Sequence, residues 1–208
     1  MPIVKAETKG GQDPVPAGVH HAVCYAVIDI GTQDPNNPNF RPSRKTIIIW
    51  ELPHETITTP DGTKPRVISC EYTASIGKKA TLRSVLESWR GRPFTAEELN
   101  GFDLKKIIGH NCQLNVVHKA GKTDPSRVYA RIQSVVPLVK GMPPVKPSNE
   151  TIYYDIPESG PINIPDSIPE WIAAKIVASD EYKARTEGVH TEAQHAPAEV
   201  DGDKDVPF

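Results

Sequence analysis

Between Val19 and Ile30 the chain alternates two sets of residues. Ala22, Cys24, Ala26, Ile28 and Ile30 interleave with His21, Val23, Tyr25, Val27 and Asp29. A period of two predicts a β-strand over residues 19–30. A Pro/Asn stretch over residues 33–42 follows as a loop, then a β-branched run over residues 44–52 containing Ile47, Ile48, Ile49 and Trp50. Thr59, Pro60, Asp61 and Gly62 spell a turn, and with residues 66–75 beyond it they predict a hairpin. The period then changes. Leu82, Val85, Leu86 and Trp89 fall at i, i+3, i+4 and i+7, one apolar stripe of a helix that Gly91 stops. Thr95 and Glu98 form a capping box for a short second helix, and residues 104–108 suggest a further turn. Two more strands are predicted at 111–119 and 127–136. After a Pro-rich stretch, residues 169–178 read as a short helix with Pro169 at its start, where the missing N–H is not needed.

Three strands, a helical insertion and two strands make a mainly β chain in the order of a five-stranded OB barrel, with its helices between strands three and four. The 208 residues accommodate one such domain with appendages. Its 21 prolines, clustered at 13–16, 34–42, 137–147 and 157–169, exclude long helices and central strands from those regions. The expected organisation is a flexible arm over residues 1–17, an OB-like domain with a Pro-rich extension over 18–178, and a disordered acidic tail over 179–208. No apolar run approaches the roughly 20 residues that cross a bilayer, and the first residues lack a signal-like apolar region. A cytoplasmic protein is expected.

Charge is distributed unevenly. From Ser179 onward eight acidic residues face three basic ones, leaving 21 basic and 18 acidic residues in the rest of the chain. A mildly basic body with an acidic tail suits a binder of polyanions. Cys24, Cys70 and Cys112 sit in apolar strand-like runs and read as buried free thiols. No CxxC or HxxxH spacing supports zinc, so no metal or other cofactor is expected. No P-loop, G-x-S-x-G or HExxH pattern supports an enzyme either. Asp29, Glu51 and Glu71 could collect Mg²⁺ only if they converged, and acidic strand residues usually face solvent.

Sequence-tolerant binding to single strands needs cations for phosphate and flat rings for bases. Arg127, Tyr129 and Arg131 alternate along the last strand, with Gln133 on the same face and Val128, Ala130, Ile132 and Ser134 on the other. Phe40 lies beside Arg41, Arg44 and Lys45; Lys64 and Arg66 follow the hairpin turn; Lys78 and Lys79 lead into the helix. Tyr72 lies in the third strand, on the surface that OB folds commonly use, although it shares a face with Ile68 and Cys70. Trp50 and Trp89 are better explained as core.

The chain closes on Asp201, Asp203, Asp205, Val206, Pro207 and Phe208. An aromatic ring and a terminal carboxylate among aspartates suit an apolar pocket rimmed by Arg or Lys. This ending resembles the tails of bacterial and phage single-stranded DNA-binding proteins, with Lys204 interrupting the acidic run. The text of residues 50–53, 86–94 and 101–104 is also similar to a phage-encoded family of that layout. The resemblance implies a non-enzymatic protein that coats single-stranded DNA, or RNA, during replication, recombination or repair. Its tip would recruit replication or recombination proteins, and its acidic tail would compete for the basic groove. An alternative remains open: a protein-interaction module whose tail mimics such a tip.

Overall fold

The computed structural model describes residues 13–35, 38–60, 62–121 and 124–193, with side chains to 186. The chain divides into two compact units, one formed by residues 1–29 and 44–155 and the other by 30–43 and 156–208. Elements in chain order are β1 (Gly18–Gln33), β2 (Ser43–Thr59), β3 (Gly62–Thr73), α1 (Thr81–Arg90), α2 (Ala96–Asn100), a 3-10 turn (Leu104–Ile107), β4 (Asn111–Ala120), β5 (Val128–Pro137), β6 (Ile152–Tyr154), α3 (Glu170–Val177) and α4 (Asp180–Ala193).

The protein is mainly β. Its six-stranded sheet follows the path β3-β2-β1-β4-β5, with β6 against β1. β2–β3, β1–β4 and β4–β5 are antiparallel, whereas β6 runs parallel to β1. β1 is long enough to serve two partners along its length: residues 18–23 pair with β4, and Ala26–Ile28 pair with β6. The five strands and the hairpin turn read from the sequence are present. β2 runs past Pro53 to Thr59, because its register shifts between Leu52 and Thr56 and the extra residues pass outside the ladder. The same shift lets Pro65 sit in β3, opposite Thr56, without breaking a regular stretch of hydrogen bonds. β6 was not expected: three residues paired to a strand far away in sequence leave no local period.

The core of the first unit gathers Ile48, Trp50 and Leu52 of β2, Ala22, Cys24 and Val27 of β1, Leu114 and Val116 of β4, and Leu82, Leu86 and Trp89 of α1. The helix follows its predicted stripe and ends in a Schellman motif. Gly91 has φ 65°, and the N–H groups of Gly91 and Arg92 donate to the carbonyls of Ser88 and Glu87. α1 packs on both β5 and β3, the two ends of the sheet path, and Ser88 Oγ donates to the Val135 carbonyl at 2.7 Å. One end of the opening between β3 and β5 is thereby bridged.

Residues 13–17 occupy the same opening, which corrects the expectation of a loose arm for these five. Val15 is 7% exposed within the core. The strap's carbonyls are held by three strands: Asp13 O accepts from Arg66 Nη1 at 2.5 Å, Val15 O from His118 Nε2 at 2.8 Å, and Pro16 O from His20 Nε2 at 2.8 Å. Residues 1–12 lie outside the described residues.

The Pro-rich stretch after β5 is pinned through buried polar groups. Glu51 has no exposure; it accepts from the backbone N–H groups of Ser148 and Asn149 at 2.9 Å and from Asn149 Nδ2 at 2.6 Å. Asn111 does the same work nearby, accepting from Val145 N and donating to Val145 O, both at 2.9 Å. Glu51 thus faces neither solvent nor a cation, because its oxygens satisfy a segment that cannot pair with a strand.

In the second unit, α4 covers Asp180–Ala193, part of the stretch expected to be disordered from residue 179. Glu181 explains the start of this helix: its carboxylate accepts from Thr32 N at 2.7 Å and Thr32 Oγ1 at 2.8 Å. Gly31 makes room for it, with φ 71° and with Glu181 Oε2 and Ser179 Cβ only 2.6 Å from where a Cβ would stand. Arg185 adds hydrogen bonds to the carbonyls of Pro157 at 2.5 Å and Gly160 at 3.2 Å. Among the described residues no helix is long and apolar enough to cross a membrane.

Candidate nucleic-acid interface

The open side of the sheet carries a groove of about 680 Å³ between β3 and β5. Arg66, Val67 and Ser69 line one wall; Ser126, Arg127, Tyr129 and Arg131 line the other, with Asp13 and Val15 of the strap between them. Among the described residues, three cations face a single carboxylate there. Tyr129 is 40% exposed, and the Arg131 guanidinium lies 5.6 Å from its ring centroid, a cation–π pair on the outward face. The alternation predicted for this strand holds for Tyr129, Arg131 and Gln133. It fails for Val128, which is 47% exposed at the strand's free start. Gln133 is the extra residue of a bulge, since Asn115 pairs with Ser134 and Val116 with Ile132. That insertion lets Ile132 and Val135 both turn inward while Tyr129 and Arg131 stay out.

A second groove, about 590 Å³, lies at the other end of β3. Lys45, Lys78 and Lys79 line it together with Glu71, Thr73 and Ser75. Lys45 Nζ donates to Thr73 Oγ1 at 2.9 Å, which fixes the ammonium at the rim. Tyr72 also lines this groove, but it does not offer a stacking face. The ring is 6% exposed and belongs to the core, and burial drives its hydroxyl strongly upward in pKa. The inward face of β3 that it shares with Ile68 and Cys70 decided its fate.

Arg44 also departs from its expected role. It holds Asp29 through Nε at 3.1–3.2 Å and Nη2 at 2.5 Å, and reaches Asp155 at 3.3 Å. Burial and the neighbouring Asp29 raise the pKa of Asp155. A guanidinium committed to two carboxylates is not a free phosphate ligand. Lys64 is exposed by the hairpin turn. Phe40, 67% exposed, and Arg41 belong to the second unit. The structure therefore brings Arg66, Arg127, Tyr129 and Arg131 together in one groove and Lys45, Lys78 and Lys79 in another. Sequence reading missed the contribution of Asp13, Val15 and Ser126; a strap crossing between strands has no local signal.

Two of the three thiols agree with the buried reading. Cys24 and Cys112 are buried and Cys70 is half-buried, and burial pushes Cys24 up to about 12. Among the described residues no group of three or more His, Cys, Asp or Glu side chains is placed to hold a metal ion. The tip residues Asp201, Asp203, Asp205, Val206, Pro207 and Phe208 lie outside the described residues. The chain matches no protein-family model, no curated protein and no solved structure.

Proposed function

We propose that this protein binds single-stranded nucleic acid, DNA in the first instance, in the groove between β3 and β5. The observation that carries the reading is the exposed Tyr129 ring with Arg131 beside it and Arg127 and Arg66 in the same groove. A ring that is free on one face accepts any base, and guanidinium groups around it neutralise the phosphates. The strand path supports the same reading. Linking β3 to β5 would close β3-β2-β1-β4-β5 into a five-stranded barrel of the OB type, whose ligand surface includes the third strand and the loop before the fifth. The second groove extends the cationic track along β3 to Lys45, Lys78 and Lys79.

In this reading the protein coats strands without chemistry of its own, and the acidic tip recruits replication or recombination proteins. The test is fluorescence anisotropy of a labelled poly-dT oligonucleotide, titrated at low and high salt with a poly-rU oligonucleotide in parallel. Saturable binding that weakens steeply with salt is expected, and Tyr129→Ala combined with Arg131→Ala reduces it. Absence of salt-sensitive binding to either polymer overturns the proposal.

A further inference from the structure

Only one half of the strap at residues 13–17 is built into the core. Val15 is 7% exposed, and its carbonyl accepts from His118 Nε2 as that of Pro16 does from His20 Nε2, both at 2.8 Å. His20 is itself braced by Glu55, 3.1 Å from its Nδ1. The other half lies in the β3–β5 groove. Asp13 is exposed and Pro14 half-buried, and both line that groove with Arg66, Arg127 and Arg131. Among the described residues one hydrogen bond holds this half to the sheet, from Arg66 Nη1 to the carbonyl of Asp13 at 2.5 Å. Pro14 and Pro16 have no N–H to give, and among the described residues no backbone-to-backbone hydrogen bond joins residues 13–17 to a strand. The strap therefore fills the opening between β3 and β5 without becoming part of the sheet.

Given a groove that takes single strands, as proposed above, we infer that Asp13 and Pro14 form a gate on it, hinged at Val15 and latched by Arg66. The closed gate has two effects. It occupies the guanidinium of Arg66, and it sets the Asp13 carboxylate where phosphates must pass, so like charges meet. A phosphate is nevertheless the stronger acceptor for Arg66, because hydrogen bonds between ionised partners are about twice as strong as those between neutral ones and a backbone carbonyl carries no charge. A strand entering the groove takes Arg66 from Asp13, and the gate swings out. The bonds from His118 and His20 lie beyond the hinge and stay in place. The protein thus binds single strands less tightly than its three guanidinium groups and Tyr129 alone would dictate.

The test is fluorescence anisotropy of a labelled poly-dT oligonucleotide at low salt with full-length chains: unaltered, Pro14→Gly, Arg66→Ala and the double variant. Pro14→Gly changes no charge and loosens the gate, since glycine gives up more freedom to hold the closed position. It is expected to bind about two- to fivefold more tightly than the unaltered chain. Arg66→Ala binds more weakly, and in the double variant the gain from Pro14→Gly is absent because the latch is already gone. Asp13→Asn keeps the carbonyl that Arg66 holds and removes the carboxylate. It tightens binding about threefold, an advantage that shrinks as salt rises. Urea unfolding checks that each variant is folded. Unchanged or weaker binding by Pro14→Gly overturns the inference and makes the strap a fixed wall, even where Asp13→Asn still gains. A gain that survives intact in the double variant overturns it too, because Arg66 is then not the latch. Both failures are read from chains that bind. If none of the chains binds poly-dT or poly-rU, the nucleic-acid reading of the groove has itself failed and the gate falls with it.

Discussion

β1 and β5 carry the same two-residue period and end in opposite environments. From His20 to Gly31 every residue of β1 is buried, on both faces. In β5 only Val135 is buried, and Tyr129 and Arg131 stand in the open. Composition separates the two strands in part, since residues 22–28 of β1 are all apolar whereas β5 carries Arg131 and Gln133; neighbours do the rest. β1 has β2 on one edge and β4 then β6 along its length, whereas among the described residues β5 has a strand partner only in β4. A strand paired and covered on all sides can only contribute stability, while one left open can bind something. Position in the sheet path, together with side-chain type, thus sorts the aromatic and charged residues into core and site.

The largest effect that tests this contrast is on the closed side. Glu51→Ala in β2 leaves the backbone N–H groups of Ser148 and Asn149 without their acceptor. The expected loss is about 3–5 kcal/mol, read as a shifted midpoint in urea unfolding. A change under about 1 kcal/mol would mean that the Pro-rich segment needs no such anchor.

On the open side stability and binding separate. Tyr129→Ala leaves the unfolding midpoint within about 0.5 kcal/mol but weakens poly-dT binding by about 1–3 kcal/mol for the base it stacks. Tyr72→Ala does the reverse, costing about 3–5 kcal/mol of stability because its ring belongs to the core. If the two tyrosines behaved alike, the division between core and site would be wrong. Arg127→Ala gives a finer signal: the slope of log affinity against log salt falls by about 1, one phosphate contact fewer. Arg44→Ala is expected to leave that slope unchanged, since its guanidinium is spent on Asp29 and Asp155.

The smallest effect lies in α2. Arg92, then the Thr95 backbone and Arg90, hold the Glu98 carboxyl at about 2, below its ordinary 4.5. A depressed carboxyl stabilises the fold above its unfolded value and loses that contribution as pH falls from about 4.5 to about 2. Glu98→Gln therefore narrows the difference in melting temperature between pH 5 and pH 2. An unchanged difference would remove Glu98 from the account of acid sensitivity.

Much of the first unit was legible because its signals are local. The period of β1, the turn at Thr59–Gly62, the stripe Leu82–Leu86–Trp89 and the box Thr95–Glu98 each need fewer than a dozen residues to declare themselves. What escaped depends on residues far apart in the chain. Tyr72 turned inward with its strand, and Arg44 met Asp29 and Asp155. Residues 13–17 were fixed by histidines and an arginine from three strands. α4 required Thr32 to receive Glu181. The site was half legible for the same reason: the alternation of Arg127, Tyr129 and Arg131 is visible in one strand, but the wall that faces it belongs to another.

Pro65 gives β3 a consequence beyond its own geometry. β3 ends the sheet path, and an end strand offers unpaired backbone groups to any neighbouring molecule. Proline has no N–H to lend to such a template, and it sits between two cations, Lys64 and Arg66. A protein crowded side by side on a shared strand needs that protection most. Under the proposed function, Pro65 would let copies crowd on a strand while removing one N–H through which they could join a common sheet.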